Sequence, residues 1–274
     1  MSAHNTSSNN RLDINGQDEL FDAIRTNVST QLADFINAVI DRPCDRALLC
    51  DIHRTIFRDV YDFAGQVRTA SDPAVCAMGR PMTDGVYASS MLDNLCREIA
   101  ETHPHSPREV LRSVAEYWGK MTMIHPFRDG NSRSQTIFFN TLAAQWGIPF
   151  DFLKIDPHEL HAARYMGAFH MDYRYLEHAL SRGVAGCEPV NNEKEHELFQ
   201  GKGSEDIYRL MVEDSERHPD GDIYRLDEES RTSNPLYPAH DVVIPSESYR
   251  RNPDIGRDHP NLLSHGRDYG YSAD

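Results

Sequence analysis

Nine consecutive residues of this 274-residue chain, His125 to Arg133 (HPFRDGNSR), gather the groups a phosphate-handling reaction needs. The imidazole of His125 changes charge near neutrality, which suits it to take a proton from an attacking hydroxyl. Gly130 and Asn131 stand just before a helical pattern that starts near Ser132. A helix start offers backbone N–H groups and a positive dipole end, a seat for phosphate. Arg133, in the first turn, adds forked donors that match phosphate oxygens. Asp129 would be repelled by such phosphates unless a cation bridged them. Mg²⁺ is the natural bridge, because it accepts one or two carboxylates together with phosphates and water. Phe127, an aromatic among polar loop residues, reads as a buried anchor.

The flanking patterns say what positions this loop. Leu48, Leu49, Ile52, Ile56, Phe57, Val60 and Tyr61 recur at helical spacing and stop before Gly65. Between Gly65 and Gly85 the period fails, and Val75 to Met78 followed by Gly79 predicts a hairpin or extended flap. Helical spacing returns at Met91 to Ala100. It returns again from Pro107 to Met121, where Ser106 can cap and Glu109 lies in the first turn. That helix runs into the loop. Beyond the loop, Ile137 to Trp146 predicts a helix closed by Gly147, and residues 157 to 181 predict one or two more. An earlier helix, or pair of helices, is expected from Leu20 to Val39. The fold class is therefore mainly α with one short β-hairpin.

The ends differ in composition. Residues 1–16 are rich in Ser, Asn and Thr and read as a flexible leader, and residues 17–183 read as the folded domain. From 184 to 274 the chain is expected to be an acidic, mostly disordered tail. Residues 187–274 hold about 20 acids against about 10 bases. The tail repeats DIYRL at Asp206–Leu210 and Asp222–Leu226, which places Tyr208 and Tyr224 as candidate modification sites, with a solvated interaction tail as the plainer reading.

A net charge of −15 argues against a nucleic-acid partner, which calls for a basic stripe. No apolar run is long enough for a membrane span, and no secretory signal opens the chain, so a cytoplasmic protein is expected. The five cysteines, Cys44, Cys50, Cys76, Cys96 and Cys187, form no CxxC pair and read as free thiols. His158 and His161 lie in HELH, which is not the HExxH of zinc proteases, so they read as ordinary surface or core residues.

The loop HPFRDGNSR resembles the signature HxFx[D/E]GNGRxxR of the Fic family, and residues Leu48 to Leu180 resemble its helical core. IHRTIFRDVYDFAGQVR, at Ile52–Arg68, is similar to the segment that precedes the family's flap. The resemblance implies a protein adenylyltransferase that moves AMP from ATP to a Tyr, Thr or Ser hydroxyl of a target protein. It implies His125 as general base and Asp129 as the Mg²⁺ ligand. Gly130, Asn131, Ser132 and Arg133 would bind nucleotide, and Val75, Cys76, Ala77 and Met78 would be the target-docking flap. Ser132 stands where the family has a glycine, and Thr136 where it has a second arginine that grips the terminal phosphate. The inhibitory motif [S/T]xxxE[G/N] has no copy here, the nearest being Ser89 with Asp93 and Asn94. Inhibition is then either supplied by a separate small antitoxin or absent. A Doc-like kinase and a Fic domain that binds without catalysis are the alternatives, and acidic tails with tyrosines also occur in secreted Fic-type effectors.

Overall fold

The computed structural model describes residues 10–14, 16, 19, 35, 38–185 and 198–219. Among them lie seven α-helices and one two-stranded sheet. The expected helix over Leu20 to Val39 falls mostly outside the described residues, as do Cys187 and Tyr224. The described residues divide into two compact units, one holding those up to His103 together with Met121–Gln145, the other holding Pro104–Lys120 and those from Trp146 onward.

In the first unit, helix α1 (Arg46–Phe57) starts where the Asp45 carboxylate accepts the Leu48 N–H at 2.8 Å. Its buried stripe is Leu48, Leu49, Ile52, Ile56 and Phe57. The helix stops one turn earlier than its apolar spacing suggests. The N–H groups of Val60 and Tyr61 both return to the Phe57 carbonyl, which turns the chain and carries Tyr61 out of the helix. Strands β1 (Cys76–Ala77) and β2 (Arg80–Pro81) pair antiparallel, Ala77 opposite Arg80. Met78 and Gly79 join them with φ of 48° and 69°. Two positive φ values in a two-residue loop match the twist of the flanking strands.

Helix α2 (Gly85–Glu101) begins at the Asp84 cap, six residues before its apolar pattern becomes visible. Helix α3 (Pro107–Ile124) starts in the second unit, where Ser106 Oγ accepts the Glu109 N–H and Glu109 accepts that of His105. Its last four residues belong to the first unit. Helix α4 (Asn131–Gln145) packs on α1 and is buried along most of its length.

In the second unit the segment expected to form one or two helices forms two. They are α5 (Pro157–His170) and α6 (Arg174–Ser181), separated where Met171 adopts a φ of 55°. A further helix, α7 (Ser204–Arg217), packs on α5. It lies within the stretch expected to be mostly disordered. Ile207 and Met211, one turn apart, are the residues it buries, too few to register as apolar periodicity. Polar bonds hold the rest: Tyr175 Oη to Asp214 at 2.8 Å, Ser215 Oγ to Asp172 at 2.7 Å, and Tyr208 Oη with His170 at 2.9 Å. At the end of the expected leader, residues 10–14 make bonds of their own. Asn10 is buried, its side chain accepts the N–H groups of Leu12 and Ile14, and Arg11 N–H bonds the Val60 carbonyl.

Candidate active site

The loop and the side chains that bond it below belong to the first unit. His125 ends α3 in the left-handed region, with φ of 48° and its N–H on the Met121 carbonyl. A non-glycine residue there costs about 1–2 kcal/mol, so its surroundings must hold it. Arg68 supplies much of that hold. Its side chain is buried, and Nε donates to the His125 carbonyl at 2.8 Å. Nη2 donates to the carbonyls of Ile124 and Thr83. The Arg68 N–H bonds the Pro126 carbonyl. A cation at the carbonyl end of a helix answers both the orphan acceptors and the negative dipole end. Burial draws the Arg68 guanidinium below its usual pKa, and the Asp72 and Asp84 charges oppose that pull.

The loop is pinned from beneath by His53 of α1, which is fully buried. Gly65 N–H donates to its Nδ1, so Nε2 carries the hydrogen and donates to the Asp129 carbonyl at 2.9 Å. Its ring stacks on Phe127 at 3.9 Å between centroids. Burial lowers the His53 pKa to about 4 and keeps the ring neutral, although the Asp129 contact pulls the other way. Phe127 is fully buried, as its place in the sequence suggests. Asn131 closes the turn: its side chain accepts the Phe127 N–H at 2.9 Å and returns a bond to the Phe127 carbonyl at 2.8 Å. The Asn131 side chain thus folds the loop, and any anion it meets would face its backbone.

Asp129 is held on three sides. Tyr61 Oη donates to Oδ2 at 2.6 Å, the Gly130 N–H approaches Oδ1, and Arg133 Nη2 stands 3.7 Å from Oδ1. Burial first, and then the Asp129 carboxylate, push the Tyr61 phenol well above its usual pKa, so it remains a donor. Arg133 also lies over the Phe57 ring at 4.5 Å. The same ring explains Gly130. With φ of 77°, a Cβ there would come within 2.2 Å of Phe57 Cε2. Next along the loop, Arg128 pairs with Asp72 and lies over the Phe63 ring.

The expected flap residues do form a hairpin. Cys76 and Ala77 are β1, Met78 is in its turn, and Val75 accepts the Met82 N–H at 2.9 Å. The hairpin's foot is tied to α3, since Thr83 N–H donates to the Met123 carbonyl at 3.1 Å. Ser132 lies in the first turn of α4. Its carbonyl accepts the Thr136 hydroxyl at 2.9 Å, so Thr136 is folded back along the helix. Ser89 and Asp93 serve a structural purpose, both bonding Arg46. His158 and His161 belong to the second unit, His158 bonding Ser204 and His161 packing edge-on to Tyr165. His53, Tyr61 and Arg68 are the contributors that residue types alone did not disclose. The signal that could have found them is the Ile52–Arg68 segment, whose polar residues interrupt an apolar face.

Among the described residues no group of three or more His, Cys, Asp or Glu forms a metal cage. Asp129 instead offers a single carboxylate aligned by Tyr61. That fits Mg²⁺, which retains water and takes most of its ligands from substrate phosphates.

Comparison with known proteins bears on this arrangement directly. Residues 43–143 match the model of the Fic/DOC family. Over 166 residues the chain is 29% identical to a protein adenylyltransferase of Bartonella henselae, an alignment covering 55% of this chain and 30% of that protein's length. The fold matches the N-terminal FIC domain of Bep8, a VirB-translocated effector of Bartonella sp. 1-1C, with a TM-score of 0.61 at 19% identity, over 67% of this chain and 94% of the other. It also matches BepC of Bartonella tribocorum, solved with bound AMPPNP, with a TM-score of 0.55 at 20% identity over 66% and 93% of the two chains.

Proposed function

We propose, from the match of residues 43–143 to the Fic/DOC family, that this chain is a protein adenylyltransferase using ATP. The relatives named protein adenylyltransferase support the class of reaction, and the nucleotide analogue bound to BepC supports the donor. The observation that carries the reading is the Asp129–Arg133 turn. There a carboxylate oriented by Tyr61 and an arginine held over Phe57 flank a helix start that only glycine at 130 can enter.

In the reaction a hydroxyl oxygen of a target Tyr, Thr or Ser forms a bond to the α-phosphorus, and the bond from that phosphorus to the bridging oxygen breaks. Pyrophosphate leaves with the electron pair. His125 takes the hydroxyl proton as the new bond forms. Gly130 to Arg133 receive the phosphates at the N-terminus of α4. Asp129 would hold Mg²⁺, which supplies charge neutralisation on the phosphates when bound. The hairpin Val75 to Met78 presents the target segment by pairing with its backbone. With Thr136 folded back along α4, Arg133 is the guanidinium of the signature that remains to grip phosphate. A cytoplasmic setting, secretion as an effector, and control by a separate antitoxin's glutamate are all compatible with this reading.

The test uses ATP labelled at either the α or the γ phosphate, incubated with the chain and cell-lysate protein. Transfer of the α label supports adenylylation, and transfer of the γ label alone points to phosphorylation instead. His125→Ala should reduce transfer by about 10² to 10⁴ while ATP affinity, read by calorimetry, stays within about threefold.

A further inference from the structure

Arg68 reaches with its hydrogen bonds both the carbonyl of His125 and the foot of the flap. Its guanidinium donates to His125 and Ile124 on one side and to Thr83 on the other, at 2.8, 3.2 and 2.8 Å. Thr83 in turn donates its N–H to Met123, one helical residue before Ile124. The network is closed: hairpin foot, guanidinium and the last turn of α3 share carbonyls and cannot shift separately without leaving a buried donor unsatisfied. His125 has the left-handed φ that this network supports. Only a planar fork can serve these carbonyls together, and a lysine ammonium of similar reach cannot reproduce it.

We propose that Arg68 is a positioning residue for transfer, fixing the His125 backbone to the foot of the flap so that target docking and placement of the base are a single geometric event. The inference rests on the adenylyl-transfer reading above, with His125 as base and the hairpin as target dock. Arg68 touches no reacting atom. Its effect travels through the peptide carbonyls of residues 124, 125 and 83, and a shift of about 1 Å at a base is enough to cost roughly a hundredfold in rate.

The experiment compares Arg68→Lys and Arg68→Met with the parent in the full chain. Three quantities are read: kcat and KM for AMP transfer to an acceptor protein, ATP affinity by calorimetry, and the NMR resonances of the His125 ring, assigned by their loss in His125→Ala. Arg68→Lys should lower kcat by about 10- to 100-fold and raise KM for the protein acceptor, and Arg68→Met should do more of both. ATP affinity should stay within about threefold, and the His125 resonances should move. A cooperatively melting variant with parental kcat and unmoved His125 resonances would overturn the proposal. So would a kcat that falls only with the folded fraction while those resonances stay in place. If the parent itself transfers no AMP, the functional reading fails and the His125 resonances alone decide the role of Arg68. Should both variants fail to fold, Thr83→Pro removes the N–H bond to Met123 and leaves the guanidinium in place. Displaced His125 resonances then support the coupling, and undisturbed ones refute it.

Discussion

The His125–Arg133 loop and helix α7 are both rich in polar residues, yet they are held in opposite ways. In the loop the polar groups turn inward. Asn131, His53 and Arg68 are buried, and each bonds the loop's own backbone. In α7 two apolar residues are buried, and the remaining hold comes from side chains meeting at a partly exposed rim. The first arrangement suits atoms that must be held in place, as positioned proton transfer demands. The second keeps a helix in place through several bonds each worth about 1 kcal/mol.

The sharpest way to break this contrast is Gly130→Ala. The added methyl would meet Phe57 at 2.2 Å in a left-handed conformation, so a loss of about 2 to 4 kcal/mol in urea unfolding is expected. Combining it with Phe57→Leu should recover part of that loss, the signature of a direct clash. Wild-type stability in Gly130→Ala would mean that the loop yields, and the contrast with α7 would vanish.

Acid offers a second probe. The folded His53 pKa, near 4, lies below the unfolded value of 6.5, so as pH falls the unfolded chain takes up this proton first. The His53 contribution is therefore complete above pH 6.5 and is lost progressively down to about pH 4, up to roughly 3 kcal/mol. Denaturant midpoints measured across that window should fall with pH. In His53→Asn, which can still donate and accept, the slope should flatten. An unchanged slope would show that the ring is not kept neutral by burial.

Tyr61→Phe should act on chemistry more than on stability. Without its hydroxyl, Asp129 loses the bond that aims Oδ2, and transfer should drop roughly tenfold. Calorimetry with and without Mg²⁺ should show the metal-dependent part of ATP binding weakened. Smallest of all, Tyr175→Phe removes the bond to Asp214 and should cost about 1 kcal/mol, visible as faster amide exchange in α7. Transfer should then stay within about twofold. A large loss of transfer would show that α7 shares the precision of the loop.

The same contrast explains how much could be read beforehand. Apolar spacing revealed most of the helices around the loop, because Leu48 to Phe57 and Pro107 to Met121 bury one stripe each. The hairpin was visible through the loss of period and the Met78–Gly79 turn. Helix α7 escaped because Ile207 and Met211 are its only buried residues, and the turn at residues 10–14 escaped because it rests on a single asparagine, Asn10. At the site, His125, Asp129, Gly130 and Arg133 were legible as chemistry within one short loop. Tyr61, His53 and Arg68 were not, since each reaches the loop across more than fifty residues of sequence through a contact that only folding creates. Asn131 was legible as a residue but not in its task, because an amide before a helix serves equally as cap, anion donor or staple.

That staple also bears on how the protein ages. An asparagine followed by serine loses its amide nitrogen when the next backbone nitrogen attacks the side-chain carbon, leaving aspartate or isoaspartate. In Asn131 the carboxamide is clasped at both ends by Phe127, and the peptide it would have to reach is wound into α4. Folding thus shelters the residue from its own degradation. An unfolded chain that deamidated there would return with a carboxylate facing the Phe127 carbonyl, and the loop could no longer close.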